Sequence, residues 1–79
     1  MKIELINNND YLFNILKSKK RIDNKRYKNE KYFVVSESNL ILGICRIIDN
    51  NYFETWFNNV NSSKFFFEHF DFHSLKKSS

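Results

Sequence analysis

The chain contains no alanine, glutamine or proline, and only one glycine and one cysteine. The single cysteine and the single glycine each remove a class of function. The lone Cys45 can form neither an internal disulfide nor a zinc cluster, which matches a reducing compartment. The lone Gly43 excludes a glycine-rich phosphate loop. No apolar run approaches the ~18–20 residues that a transmembrane helix requires. Glu4 sits where a secretory leader would be apolar. The expectation is a soluble cytoplasmic protein without membrane contact, in the host cytoplasm if a phage or virus encodes it. A 79-residue domain buries only roughly 60–65% of its unfolded surface, so an enclosed cofactor has little room and none is expected.

What is abundant is equally one-sided. Asparagine (12), lysine (10), phenylalanine (9), isoleucine (8), tyrosine (4) and methionine (1) make up 44 of the 79 residues. These are the amino acids of A- and T-rich codons, which points to an AT-rich genome of the kind found in low-GC bacteria, their phages and plasmids, several large viruses and some protozoa. The asparagine runs at 7–9 and 58–59 follow from the same bias and are not read as prion-like tracts.

Periodicity predicts one domain over residues 1–79, with the order β-α-β-β-β-α. This is an α+β fold in which helices cover one face of a three- to four-stranded antiparallel sheet. The strands are expected at 2–6, 31–36, 40–48 and 52–57, with turns at 37–39 and 49–51. Asn9 or Asp10 is expected to cap a helix over 11–21 that carries Leu12, Phe13 and Leu16 on one side. Ser62 or Ser63 would cap a last helix over 64–75, with a strand as the alternative for that segment. Gly43, inside the apolar strand at 40–48, marks a bulge or the close approach of another element.

The net charge of +4 is uneven. Residues 17–31, read as a helix end and loop, hold eight cations (Lys17, Lys19, Lys20, Arg21, Lys25, Arg26, Lys28 and Lys31) against Asp23 and Glu30, a net +6. The other 64 residues are net −2. Such a segment can bind a phosphate backbone through counterion release, steer association with an acidic protein surface, or serve only as a solvated loop that keeps the protein soluble. Tyr27 and Tyr32 interleave with the cations and are expected to stack on unpaired bases. No helix-turn-helix, zinc-finger or RNA-recognition signature accompanies them.

Candidate catalytic groups are sparse. His69, Asp71 and His73 share a strand face, and the two histidines stand one turn apart on a helix. The glutamate that follows the first histidine in zinc-protease helices is missing, and no metal site is assigned. Cys45 lies in the apolar stretch 44–48 and reads as a small hydrophobe. Arg46, a lone charge in a central strand, needs a partner, and Glu54 one strand over is the expected one.

Three segments resemble pieces of the GNAT acetyltransferase family: the opening Met1–Ile6, the stretch from Tyr32 to Ile44, and Phe66 to Phe72. The resemblance implies a first strand, a central hairpin and a late helix-to-strand motif. The family's pyrophosphate-binding segment has no counterpart here, so the resemblance implies at most a degenerate, non-catalytic descendant.

Fourteen residues are aromatic, and Phe65, Phe66, Phe67, Phe70 and Phe72 crowd the Phe-rich segment 62–79. Consecutive rings on a helix point about 100° apart, so one stripe cannot bury them all. Trp56, Phe65, Phe66, Phe67 and Phe70 are therefore candidate interface residues. The expectation is a small non-enzymatic binding protein, with no catalytic residues, that docks on nucleic acid or on a host protein or ribonucleoprotein complex. By size and composition it is comparable with phage-type inhibitors such as anti-CRISPR proteins. The alternatives are a metal-dependent enzyme centred on His69 and His73, or a homodimeric structural subunit.

Overall fold

Four strands pair in chain order into one antiparallel sheet: β1 (Lys2–Asn7), β2 (Glu30–Glu37), β3 (Leu40–Ile48) and β4 (Tyr52–Phe57). Helix α1 (Asp10–Ser18) lies between the first two strands, and α2 (Val60–His69) follows the last. The structure, a computed structural model, describes residues 1–7, 9–22 and 24–72. The predicted α+β class, antiparallel sheet and element order are all present.

A chain with one glycine still makes tight hairpins, because asparagine, aspartate and serine take the left-handed backbone. Ser38 and Asn39 (φ 51° and 67°) turn β2 into β3, and Asp49 and Asn50 (φ 55° and 56°) turn β3 into β4. Two successive left-handed residues match the twist of the flanking strands, and short polar side chains tolerate that conformation. The second turn closes with the Asn51 N–H donating to the Ile48 carbonyl at 3.1 Å.

Gly43 meets both expectations for its place. The β2–β3 register shifts between Val35 and Ser36, leaving Leu42 unpaired as a bulge beside it. A Cβ at Gly43 would stand 2.3 Å from the Phe57 ring, so the glycine makes room for that ring from β4. The freed Leu42 carbonyl accepts from the Asn58 N–H at 2.8 Å and from the Ser62 hydroxyl at 3.1 Å, tying the start of α2 to the sheet.

The helices do not share a face of the sheet, which corrects the predicted layering. Successive strand residues point to opposite sides. Tyr32, Val34 and Ile44 pack with Leu12, Phe13 and Leu16 of α1, whereas the alternating Val35, Cys45 and Ile47 pack with Phe66 of α2. The sheet is the middle layer of three. Eight of the nine phenylalanines gather on the α2 side; the ninth, Phe13, is on the buried face of α1.

Helix limits also differ from expectation. Asn9 caps α1, its side-chain oxygen accepting from the Leu12 N–H at 2.9 Å. That helix stops at Ser18 because Lys20 turns left-handed (φ 56°). Helix α2 begins at Val60, four residues before the predicted start, because Asn59 is the cap and accepts from the Ser62 N–H at 2.8 Å. Ser62 is buried inside the first turn. Residues 73–75 of the predicted helix lie outside the described residues.

Candidate functional site

The basic segment begins where α1 ends. The Arg21 N–H reaches back to the Leu16 carbonyl (3.2 Å) and the Lys20 N–H to the Lys17 carbonyl (3.0 Å). This is the Schellman arrangement, with lysine at the left-handed position that usually holds glycine. The chain then crosses the α1 side of the sheet toward β2, and a buried ionic cluster holds it there.

Arg46, 0% exposed on β3, is the centre of that cluster. Its guanidinium donates to the Lys25 carbonyl, to Glu30 Oε2 (2.7 Å) and to Glu54 Oε1 (2.9 Å). Glu30 is fully used: Oε1 accepts from the Tyr32 hydroxyl (2.8 Å) and Arg26 Nε (2.9 Å), and Oε2 also accepts from the Tyr27 N–H (3.0 Å). Arg26 extends the network to Asp10 at the start of α1. The Phe13 ring lies against both guanidiniums, its centroid 4.4 Å from Arg26 and 5.0 Å from Arg46. Two arginines balance two buried glutamates with near-complete hydrogen bonding, the condition under which buried charge is tolerated.

The electrostatics follow from this geometry. Burial alone would raise the Glu30 pKa, but hydrogen bonds from Arg46, the Tyr27 N–H, Tyr32 and Arg26 outweigh it and hold the carboxyl at about 2. Burial, reinforced by the Glu30 carboxylate, pushes the Tyr32 hydroxyl above its ordinary value. For Arg46, burial opposes the charge, and hydrogen bonds to Glu30 and Glu54 prevail, raising its pKa.

The predicted site residues separate into two groups. Lys17, Lys19, Lys20, Arg21, Lys25 and Lys28 stand exposed along the pinned segment, with Lys31 half-buried. Tyr32 is withdrawn: 0% exposed and bonded to Glu30, it cannot stack on a base. Tyr27 is half-buried, its ring 5.2 Å from the Lys25 ammonium. Arg26 is committed to Asp10 and Glu30. The expected Arg46–Glu54 pair is present, but sequence reasoning missed Glu30 and Asp10 as its extension. Glu30 reads in the sequence as one of two acids within a basic run.

Among the aromatic candidates, Phe66 is corrected from interface to core: it is 0% exposed and stacks on Phe70 at 4.8 Å. Phe65 is half-buried and stacks on His69 at 4.2 Å, and Phe70 is half-buried against Phe33 at 4.5 Å. Phe67 is 54% exposed, the ring that one helix face could not cover. Trp56, half-buried on β4, stands on the α1 side with the Lys19 ammonium 5.0 Å from its ring centroid. Trp56 lines two surface hollows. One, of about 420 Å³, includes Arg21, Asn59 and Val60; the other, of about 360 Å³, includes Tyr11, Lys19 and Leu40.

The candidate chemistry gains little from the fold. Burial pushes the Cys45 thiol up to about 12, so it stays protonated inside the α2-side core. His69 Nδ1–H donates to the Phe65 carbonyl at 2.8 Å. Among the described residues no three histidine, cysteine or acidic side chains gather as metal ligands, and His73 lies outside them. No described helix is long and apolar enough to cross a membrane. Comparison with known protein families, curated proteins and solved structures finds no match.

Proposed function

We propose that this chain is a small non-enzymatic binding protein that docks through its cationic segment on nucleic acid, or on a host complex that carries nucleic acid. The observation behind this reading is the pinning of the segment. Arg46 and Glu30 hold the Lys25 carbonyl, the Arg26 side chain and the Tyr27 N–H, while six cations around them face outward. A preordered charge array loses less conformational entropy on binding than a slack loop does. Lys20 supports the same reading, since it keeps a cation at a left-handed position where glycine would be less strained. Size and AT-rich coding favour an inhibitor of the kind that phages and mobile elements direct against host machinery, as anti-CRISPR proteins are.

The test replaces Lys19, Lys20, Arg21, Lys25 and Lys28 with serine and leaves Arg26 in place, because Arg26 belongs to the buried network. The variant is expected to keep its far-UV circular dichroism and to bind labelled oligonucleotides at least tenfold more weakly. Its log–log salt dependence should flatten by about 3.5–4.5, the share of five phosphate contacts. Pull-downs from host lysate with and without nuclease separate a direct nucleic-acid contact from a protein-mediated one. A folded variant that binds every partner as wild type does overturns the proposal.

A second reading, a homodimer joined by the C-terminal aromatics, is favoured by Val60 and Phe67. Seven residues apart on α2, both point to solvent, 80% and 54% exposed.

A further inference from the structure

We propose that Trp56 is a stacking platform for an unpaired base, which makes the ligand of the cationic segment a single-stranded nucleic acid; this rests on the reading of that segment given above. The tyrosines interleaved with the cations are poorly placed for the task. Tyr32 is inside the core and Tyr27 is half-buried against the ionic cluster. Trp56 comes to the cations instead through the fold: β4 is an edge strand, and the end of α1 sets Lys19 over the indole. No spacing in the sequence joins positions 19, 21 and 56.

The indole is a shared wall of two hollows, each holding a cation, Arg21 in one and Lys19 in the other. Tyr11, 67% exposed, lines the Lys19 hollow and offers a second ring. Both volumes lie within the range of roughly 300–1,000 Å³ typical of small-molecule sites. Alternating flat rings and cations is what a single strand needs, since every base has a face to stack and every phosphate a charge to neutralise. A duplex keeps its bases stacked on one another and presents none to the indole. The exposed cation–π contact between Lys19 and Trp56 is weak. A base can take the place of the ammonium on the ring, and the lysine then swings to the adjacent phosphate.

Trp56 is the only tryptophan, so its fluorescence reports this contact directly. The wild-type chain is titrated with a thymidine 15-mer, the same 15-mer in duplex, inorganic polyphosphate and poly-glutamate. The single strand is expected to quench Trp56 in a saturable, salt-sensitive way and to bind more tightly than the duplex. Polyphosphate should bind without quenching. Trp56→Leu, which keeps apolar contact with the core, should bind the single strand about tenfold more weakly and polyphosphate unchanged. Tyr11→Ala, at an exposed position, should weaken the single strand severalfold and serves as the second variant should Trp56→Leu fail to fold. Equal binding of single strand, duplex and polyphosphate without quenching overturns the stacking site and leaves the cationic reading standing. Tighter binding of poly-glutamate than of the single strand overturns it in favour of an acidic protein. Failure to bind any polyanion overturns the stacking site and direct docking on nucleic acid alike.

Discussion

Arg46 illustrates how a core this small can hold a charge. A guanidinium with no exposure would be strongly destabilising alone, so its stability depends on the carboxylates that meet it, above all Glu30. Because the folded-state pKa of Glu30 lies below the ordinary 4.5, its contribution is complete above pH 4.5 and disappears as pH falls through about 2. The shift corresponds to about 3 kcal/mol. Urea denaturation of wild type and Glu30→Gln at several values between pH 7 and 2 isolates this residue. The stability difference between them should be constant above pH 5 and shrink by about 3 kcal/mol toward pH 2. A difference that stays flat over that interval refutes the assignment. At this scale the sequence exposes the need but not the answer. A lone arginine in an apolar strand demands a partner, and Glu54 eight residues on is the natural candidate. Glu30 and the Lys25 carbonyl, 16 and 21 residues away, are brought in by the path of the loop.

The elements themselves are readable, because strands and turns obey local rules. Residues 40–48 form a near-continuous apolar run and 52–57 alternate, both are bounded by asparagine-containing turn steps, and those limits are the observed ones. Helix starts are less readable in a chain with 12 asparagines, since any of them can cap. Asn59 was indistinguishable from its neighbours until Leu42 held Ser62 in the first turn. The end of α1 is legible only in the backbone, where Lys20 at φ 56° carries the strain of a left-handed residue with a side chain. Lys20→Gly should therefore stabilise the fold by about 0.5–1 kcal/mol, glycine's larger unfolded-state entropy offsetting part of the relief. That corresponds to a rise in Tm of a few degrees. The same variant should bind oligonucleotides more weakly through the lost charge. Scanning calorimetry and a binding titration on one preparation check both signs, and a lowered Tm would contradict the strain argument.

At the scale of the whole molecule, the aromatic surplus serves the α2 layer. Phe66 closes that layer against Val35, Cys45 and Ile47, whereas Phe67, one residue on, faces mostly outward. Phe66→Ala should cost about 3–5 kcal/mol, a large part of the stability of a domain this size, and Phe67→Ser should cost little. Thermal melts followed by circular dichroism distinguish the two positions. Sedimentation then decides the homodimer reading: it requires a dimeric wild type and a folded, monomeric Phe67→Ser. A monomeric wild type removes it and leaves Phe67 a surface ring.

Composition and periodicity by themselves determined the order of elements, the antiparallel sheet, the crowding of cations into residues 17–31 and the need for a partner at Arg46. These depend on neighbours a few residues apart, where pleat, helix turn and left-handed turn are local constraints. Even the layering left a trace, since a strand apolar on both faces, as at 44–48, requires cover on both sides. Only the tertiary structure decided that α2 takes the face opposite α1, that Tyr32 and Phe66 are core, and that Glu30 anchors the basic loop. It also decided that Trp56 lines one hollow with Arg21 and another with Lys19. Each of these joins residues distant in the chain, and their meeting depends on how the whole sheet is covered.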